Sequence, residues 1–255
     1  MKDLEGLEVP NPYTDGMYPG WLWANREMRR IFDKYQIPMP IWTSMCPGPT
    51  EVAMTGMMGW TQFQVALRKN PELARACADL ALQWNIRLGR ALIDVAQPEG
   101  IYCCQFTGGF PLKGNEWVAD QWRVLGENLK TYSPKPLHLS HGYSFLSGVF
   151  QWYEVLHERG ALTPDMWDGG TGGWSEDMDM WRILDAHRGY NLYLSFSIRN
   201  ETLEKGPISA IEEEMKTWCE KGKSHPKFSP GVVPVYFCPP EHVDAAIAAF
   251  KNYNK

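Results

Sequence analysis

Residues 70–106, NPELARACADLALQWNIRLGRALIDVAQPEGIYCCQF, run a long helix straight into a strand. Asn70, Pro71 and Glu72 stand in the order that a helix start favours. The amide caps an orphan N–H, the proline needs no donor there, and the acid meets the positive end of the helix. Leu73, Cys77, Leu80, Ala81, Trp84, Leu88, Ala91, Leu92 and Val95 then recur at steps of three and four, one apolar face along the whole helix. Pro98 and Gly100 stop it, and 100–106 reads as a strand.

The same alternation continues on both sides. Residues 1–20 hold Pro10, Pro12, Gly16, Pro19 and Gly20 and read as an irregular arm, followed by a helix from Trp21 to Tyr35. Residues 38–44 read as a first short strand, closed by Cys46-Pro47-Gly48-Pro49. Downstream, the expected strands are 135–142, 165–168, 191–198 and one within 228–237. The expected helices are 115–132, 145–159, 175–188 (Ser175 capping, acids at Glu176, Asp177 and Asp179), 207–221 and a last one from Pro239-Pro240-Glu241 to about Phe250. Six strands, each followed by a helix, imply an α/β protein with a parallel sheet and right-handed crossovers. Two architectures fit this order, a (β/α) barrel and an open doubly wound sheet, and periodicity does not separate them. Both set an active site at the carboxyl ends of the strands.

Composition narrows the function classes. The chain has 255 residues and a formal charge of −5, against the basic face of a duplex nucleic-acid binder. No apolar run has the length of a membrane span, and the first residues show no apolar leader core, so a soluble, cytoplasmic protein is expected. The six cysteines are scattered without a C-x-x-C pair and read as reduced thiols, several of them packed in the core. Twelve Trp and twelve Met suit a core and the walls of a pocket for flat or apolar ligands.

Four expected strand ends carry polar or glycine clusters: HLSHG at 138–142, WDGGTGG at 167–173, SIRN at 197–200 and SPG at 229–231. His138 and His141 are candidate catalytic groups, because imidazole titrates near neutrality and binds metals. Two histidines fall short of the three or four ligands of a zinc site. Asp168, beside Trp167 and before four glycines in five residues, is a candidate base, metal ligand or partner for His138. The glycine stretch lacks the spacing and the lysine of a phosphate loop. Arg199, Asn200, Trp167 and Gly231 are candidate substrate-binding residues at these strand ends; the guanidinium of Arg199 can clamp a carboxylate or phosphate with two hydrogen bonds. The alternative for Arg199 is a surface ion pair. Cys238 reads as a packed thiol and Glu212-Glu213-Glu214 as a solvated helix face.

Several segments, in order, resemble the uroporphyrinogen decarboxylase superfamily. It includes corrinoid-linked methyltransferases and is related in fold to cobalamin-independent methionine synthase. Gly48-Pro49-Thr50-Glu51-Val52-Ala53 resembles a Gly-Pro-x-Thr-x-Ala strand end. Residues 70–73 and 93–101 resemble the long helix running into "GADGI". His138 falls at the family's strand-end histidine. Residues 199–206 resemble "GN-x-D-P-x-x-L-x-x-G", and Ser229-Pro230-Gly231 with 239–243 resembles the closing "PGCGI…TPxEN". The resemblance covers about residues 38–250.

The resemblance implies a distorted (β/α) TIM-barrel-like domain over 38–255 with about six of eight βα units, preceded by an arm and helix over 1–37. Its zinc branch uses His-x-Cys and the cysteine of "PGCG". Here these positions are His138-Leu139-Ser140 and Pro230-Gly231-Val232, so His138 is the metal ligand that remains and Gly231 falls at the substrate end. The cofactors implied are zinc and a cobalamin carried on a partner corrinoid protein. An incomplete barrel has open edges, which implies a homodimer or a complex with a subunit that completes it. Three functions follow: a corrinoid-linked methyltransferase acting on a small molecule through His138, His141 and Asp168; a decarboxylase of a porphyrinogen or other carboxylated ring held by Arg199; or a non-catalytic accessory subunit.

Overall fold

The computed structural model describes residues 4, 6–45, 47–105, 114–143, 149–161, 167–170, 189, 193–232 and 237–254. Within these, only the backbone is described for 104–105, 140–143, 149–153, 167–170 and 193–197. The chain divides into two compact units. Unit 1 is residues 1–105, 111–140 and 154–162; unit 2 is 106–110, 141–153 and 163–255.

Unit 1 opens with an irregular arm and helix α1 (Tyr18–Tyr35). The helix starts three residues before the expected Trp21 because Pro19 occupies its first turn, where a missing N–H costs nothing. Strand β1 (Trp42–Ser44) begins only after Pro38 and Pro40, which have no N–H for a ladder. A short α2 (Pro49–Glu51), a seven-residue π-helix (Val52–Met58) and α3 (Trp60–Lys69) follow. Helix α4 (Pro71–Ala96) is the crossover to β2 (Gly100–Gln105). Asn70 Oδ1 accepts the Leu73 N–H at 3.3 Å, as a capping residue should. Buried Cys77, Ala81, Trp84, Leu88, Ala91 and Leu92 form the expected face of α4. Helix α5 (Trp117–Tyr132) leads to β3 (His138–Tyr143), whose first three residues belong to unit 1. The β1–β2 pair is parallel, Trp42 opposite Gly100 and Ser44 opposite Tyr102. The arm is tied to α4: Arg87 donates to the carbonyls of Val9 and Pro10, and the Tyr13 hydroxyl donates to Asp94 Oδ2 at 3.0 Å.

Unit 2 contains the first half of α6 (Val149–Glu158 spans both units), β4 (Trp167–Gly170), β5 (Tyr193–Ser197), α7 (Asn200–Lys205), α8 (Ile208–Gly222), β6 (Phe228–Gly231) and α9 (Pro240–Tyr253). Strands β4, β5 and β6 pair in parallel in that order. Ile198, Leu203, Ile211, Met215, Cys219, Ala246 and Ala249 form one buried cluster in this unit. All six expected strands are present, and the described ladders are parallel, so the fold is a helix-rich α/β arrangement. The expected helix over 175–188 and the second half of the glycine stretch, residues 171–173, lie outside the described residues. Among the described residues no helix is long and apolar enough to cross a membrane.

Candidate functional site

The sheet of unit 1 has two unlike faces. Thr43, Ile101, Cys103 and Leu139 are buried on one. The residues that alternate with them, Trp42, Ser44, Tyr102 and His138, are only half-buried. Every second position on three strands therefore presents an aromatic and polar wall. At its lower row the Trp42 ring lies across Gly100, where an added Cβ would come within 2.5 Å of Trp42 Cε3. Beyond the glycine the ring stacks on His138, with centroids 6.4 Å apart and planes inclined by 23°. Gly100 is thus the gap through which two rings on β1 and β3 meet. Ser44 and Tyr102 form the next row up. Such a wall can hold a flat or apolar small molecule and orient it through hydroxyl and imidazole groups.

His138 opens β3; the strand was expected to start at Lys135 and to carry His138 near its carboxyl end. Pro136 cannot donate, and the first ladder bond runs from His138 N–H to Glu99 O at 3.0 Å. His138 therefore sits at the amino edge of the sheet, beside Gly100. His141 lies inside the strand, three positions on, and its side chain is outside the description.

Glu99, which sequence reasoning passed over, organises this edge. Its carboxylate accepts from Lys135 Nζ at 2.6 Å, from the Ile41 N–H at 2.6 Å and from Arg29 Nη2 at 3.1 and 3.2 Å. Arg29 also donates to the Ala96 and Gln97 carbonyls. One acid thereby joins α1, the entry to β1, the end of α4 and the approach to β3. Burial pushes its pKa up, but the Lys135, Ile41 and Arg29 donors outweigh this and hold it at about 2.

In unit 2 the carboxyl ends of the strands lie side by side, with Gly170 opposite Phe196 and Ser197 opposite Gly231. Trp167 and Asp168 are the first two residues of β4, opposite Tyr193 and Leu194, and their side chains are not described. The glycine-rich end extends the strand to Gly170, beyond the expected stop at Asp168. Asn200 begins α7, and its Oδ1 is buried with no hydrogen-bond partner among the described residues. A buried acceptor left unpaired is costly, which makes Asn200 Oδ1 a ready contact for a substrate donor. Arg199 is engaged elsewhere: its backbone N–H and its Nε both donate to Glu214, at 2.8 and 3.3 Å. Glu214 is only 13% exposed, so the acidic triplet is not wholly a solvated face. Cys238 packs against the core and donates to the Leu203 carbonyl at 3.5 Å. Burial, then Glu204 and Glu241, push its thiol pKa up, so it is a packed thiol as expected. Cys77, Cys103 and Cys219 are free and buried.

Among the described residues no three His, Cys, Asp or Glu side chains converge as a metal site. Beside His138 stand the Trp42 ring and the Glu99 carbonyl, which accepts its backbone N–H. Sequence reasoning also missed Trp42, Ser44 and Tyr102, although their alternation with Ile41, Thr43 and Met45, or with Ile101 and Cys103, was the signal that separates a wall from a core.

No family model and no curated protein matches the chain. Among solved structures the chain is similar to a methyltransferase from Methanosarcina mazei, over 100% of this chain and 70% of that one. The TM-score is 0.73 and the identity 19%. At that identity the likeness is one of fold.

Proposed function

We propose that this chain is a methyltransferase acting on a small molecule in a barrel-like (β/α) fold of the uroporphyrinogen decarboxylase superfamily. The observation that carries the reading is the fold likeness to a methyltransferase along the whole chain. The motifs at 48–53, 93–101 and 199–206 support the superfamily, of which the corrinoid-linked methyltransferases are one branch. A cobalamin on a partner protein would supply or accept the methyl group. The chain's own task is to hold the small substrate and exclude water. Trp42 and Tyr102 give it an apolar wall, and Ser44 and Tyr102 supply hydroxyls for orientation. His138 stands at the amino edge of the sheet rather than at the carboxyl ends where this fold class sets its sites, and it is the imidazole beside this wall that takes the proton a nucleophilic acceptor releases as it is methylated. Unit 2 carries its own candidates: His141 and Asp168 for acid-base work, and Asn200 and Gly231, at the carboxyl ends of β5 and β6, for substrate contact. No step is assigned to zinc. The engagement of Arg199 by Glu214 weighs against the decarboxylase reading, which needed that guanidinium for a substrate carboxylate.

The test mixes the purified chain with methylcob(III)alamin and a panel of thiol and amine acceptors. Loss of the alkyl-cobalt absorbance is followed, and methylated product is read by mass spectrometry. Turnover with at least one acceptor is expected, falling by roughly 10²–10⁴ in His138→Ala if the imidazole is the base. Absence of product with every acceptor, or full activity in His138→Ala, overturns the assignment. Elemental analysis of the same preparations reads the zinc content directly.

A further inference from the structure

The N-terminal helix carries more exposed apolar surface than one packed helix face requires. Helix α1 packs on α4 with Leu22 and Asn25 buried, and Arg29 donates to the Ala96 carbonyl at the end of α4. A second stripe runs beside it through Trp21, Ala24, Met28, Ile31 and Tyr35. Its steps of three and four are those of a coiled-coil seam rather than of scattered surface residues. Trp21 is 41%, Ile31 40% and Tyr35 64% exposed.

The charges beside this seam say what covers it. Glu27 and Lys34 lie on its solvent flank, seven residues apart and opposite in sign. We infer that α1 pairs antiparallel with α1 of a second copy of this chain. With Met28 against Ile31 of the second copy, Ala24 meets the larger Tyr35. Glu27 then faces Lys34 of the second copy, and the two-fold repeats this ion pair. In a parallel pair Glu27 would instead meet Phe32, and no such ion pair forms. Glu27 now holds Arg30 through Oε2 at 2.6 Å, and Lys34 Nζ lies 5.0 Å from the Tyr35 ring centre. Glu27 Oε1 is therefore the oxygen offered to the second lysine. At the ends of the seam, Trp21 reaches the turn after the other α1, where Met39 is 64% exposed.

Sedimentation velocity of the full chain over a range of concentrations tests this. A dimer that dissociates on dilution is expected, and Ile31→Glu should give a monomer with unchanged far-ultraviolet circular dichroism. Glu27→Lys and Lys34→Glu, both on the surface, should each weaken the dimer by roughly tenfold through like-charge contacts. The double exchange should restore it. A chain that is monomeric throughout overturns the proposal. So does a dimer that withstands Ile31→Glu, or a double exchange that fails to restore pairing.

Discussion

At the scale of single residues, Gly100 shows how one position can serve two purposes of which only one is local. Its role as a helix stop is legible in the sequence beside Pro98. Its second role, leaving room for a ring from a neighbouring strand, depends on the pairing of Trp42 with Gly100. An alanine there would place Cβ 2.5 to 2.6 Å from three atoms of the indole. The ring is rigid and stacked on His138, so it cannot yield by a simple rotamer change. Gly100→Ala is expected to lower stability by about 1–3 kcal/mol, as overpacking does. A urea midpoint measures it, and Trp42→Leu in the same chain should recover most of the loss, because the two residues share one contact. An unchanged midpoint in Gly100→Ala alone would remove the packing argument. The candidate site was legible to the same degree. Asn200 was singled out from its place after a strand, whereas the burial of its oxygen is a tertiary feature that the sequence does not show. Glu214 escaped because its partner, Arg199, comes from another element and no local pattern joins the two.

At the scale of elements, α4 was the most readable part of the chain. Its face repeats over 26 residues and its cap stands at the expected Asn70. The cap bond predicts that Asn70→Ala costs about 1 kcal/mol. At the other end Gln97 adopts a left-handed conformation, φ 42° and ψ 54°, which suits glycine. Gln97→Gly is expected to raise stability by up to about 1 kcal/mol, since relief of the left-handed strain exceeds the added chain entropy. Thermal midpoints of the two variants should therefore move in opposite directions, and a fall in both would contradict the capping geometry. The π-helix at Val52–Met58 was not readable. Its shift from an i+4 to an i+5 bond is one residue in register, and apolar spacing over seven residues is too coarse to register it. The starts of β1 and β3 were missed by four and three residues for a different reason. Apolar pattern alone does not say where a ladder begins, whereas prolines at 38, 40 and 136 exclude a donor and push each start downstream.

At the scale of the molecule, the alternation of strands and helices could be read because each strand and its following helix is a local pattern. The charge hub that fixes the lower edge of unit 1 could not, because its members are spread from Arg29 to Lys135. Among the described residues, Glu99 is the carboxylate held furthest below its ordinary value. Its folded pKa, about 2, lies below the ordinary value of 4.5. A depressed acid contributes stability that is complete above the unfolded value and is lost as pH falls through the folded one. Unit 1 should accordingly hold its stability down to about pH 4.5 and lose this contribution between there and pH 2. The Glu99 side chain is 35% exposed, so solvent screens part of each ion pair, and the loss in Glu99→Gln near neutrality should be modest, about 1 kcal/mol. The sharper sign is the slope. Urea midpoints of the parent chain should fall between pH 4.5 and 2 more steeply than those of Glu99→Gln, whose amide does not titrate. Parallel slopes in the two proteins would mean that other carboxylates set the acid limit and that the hub is held by geometry rather than charge.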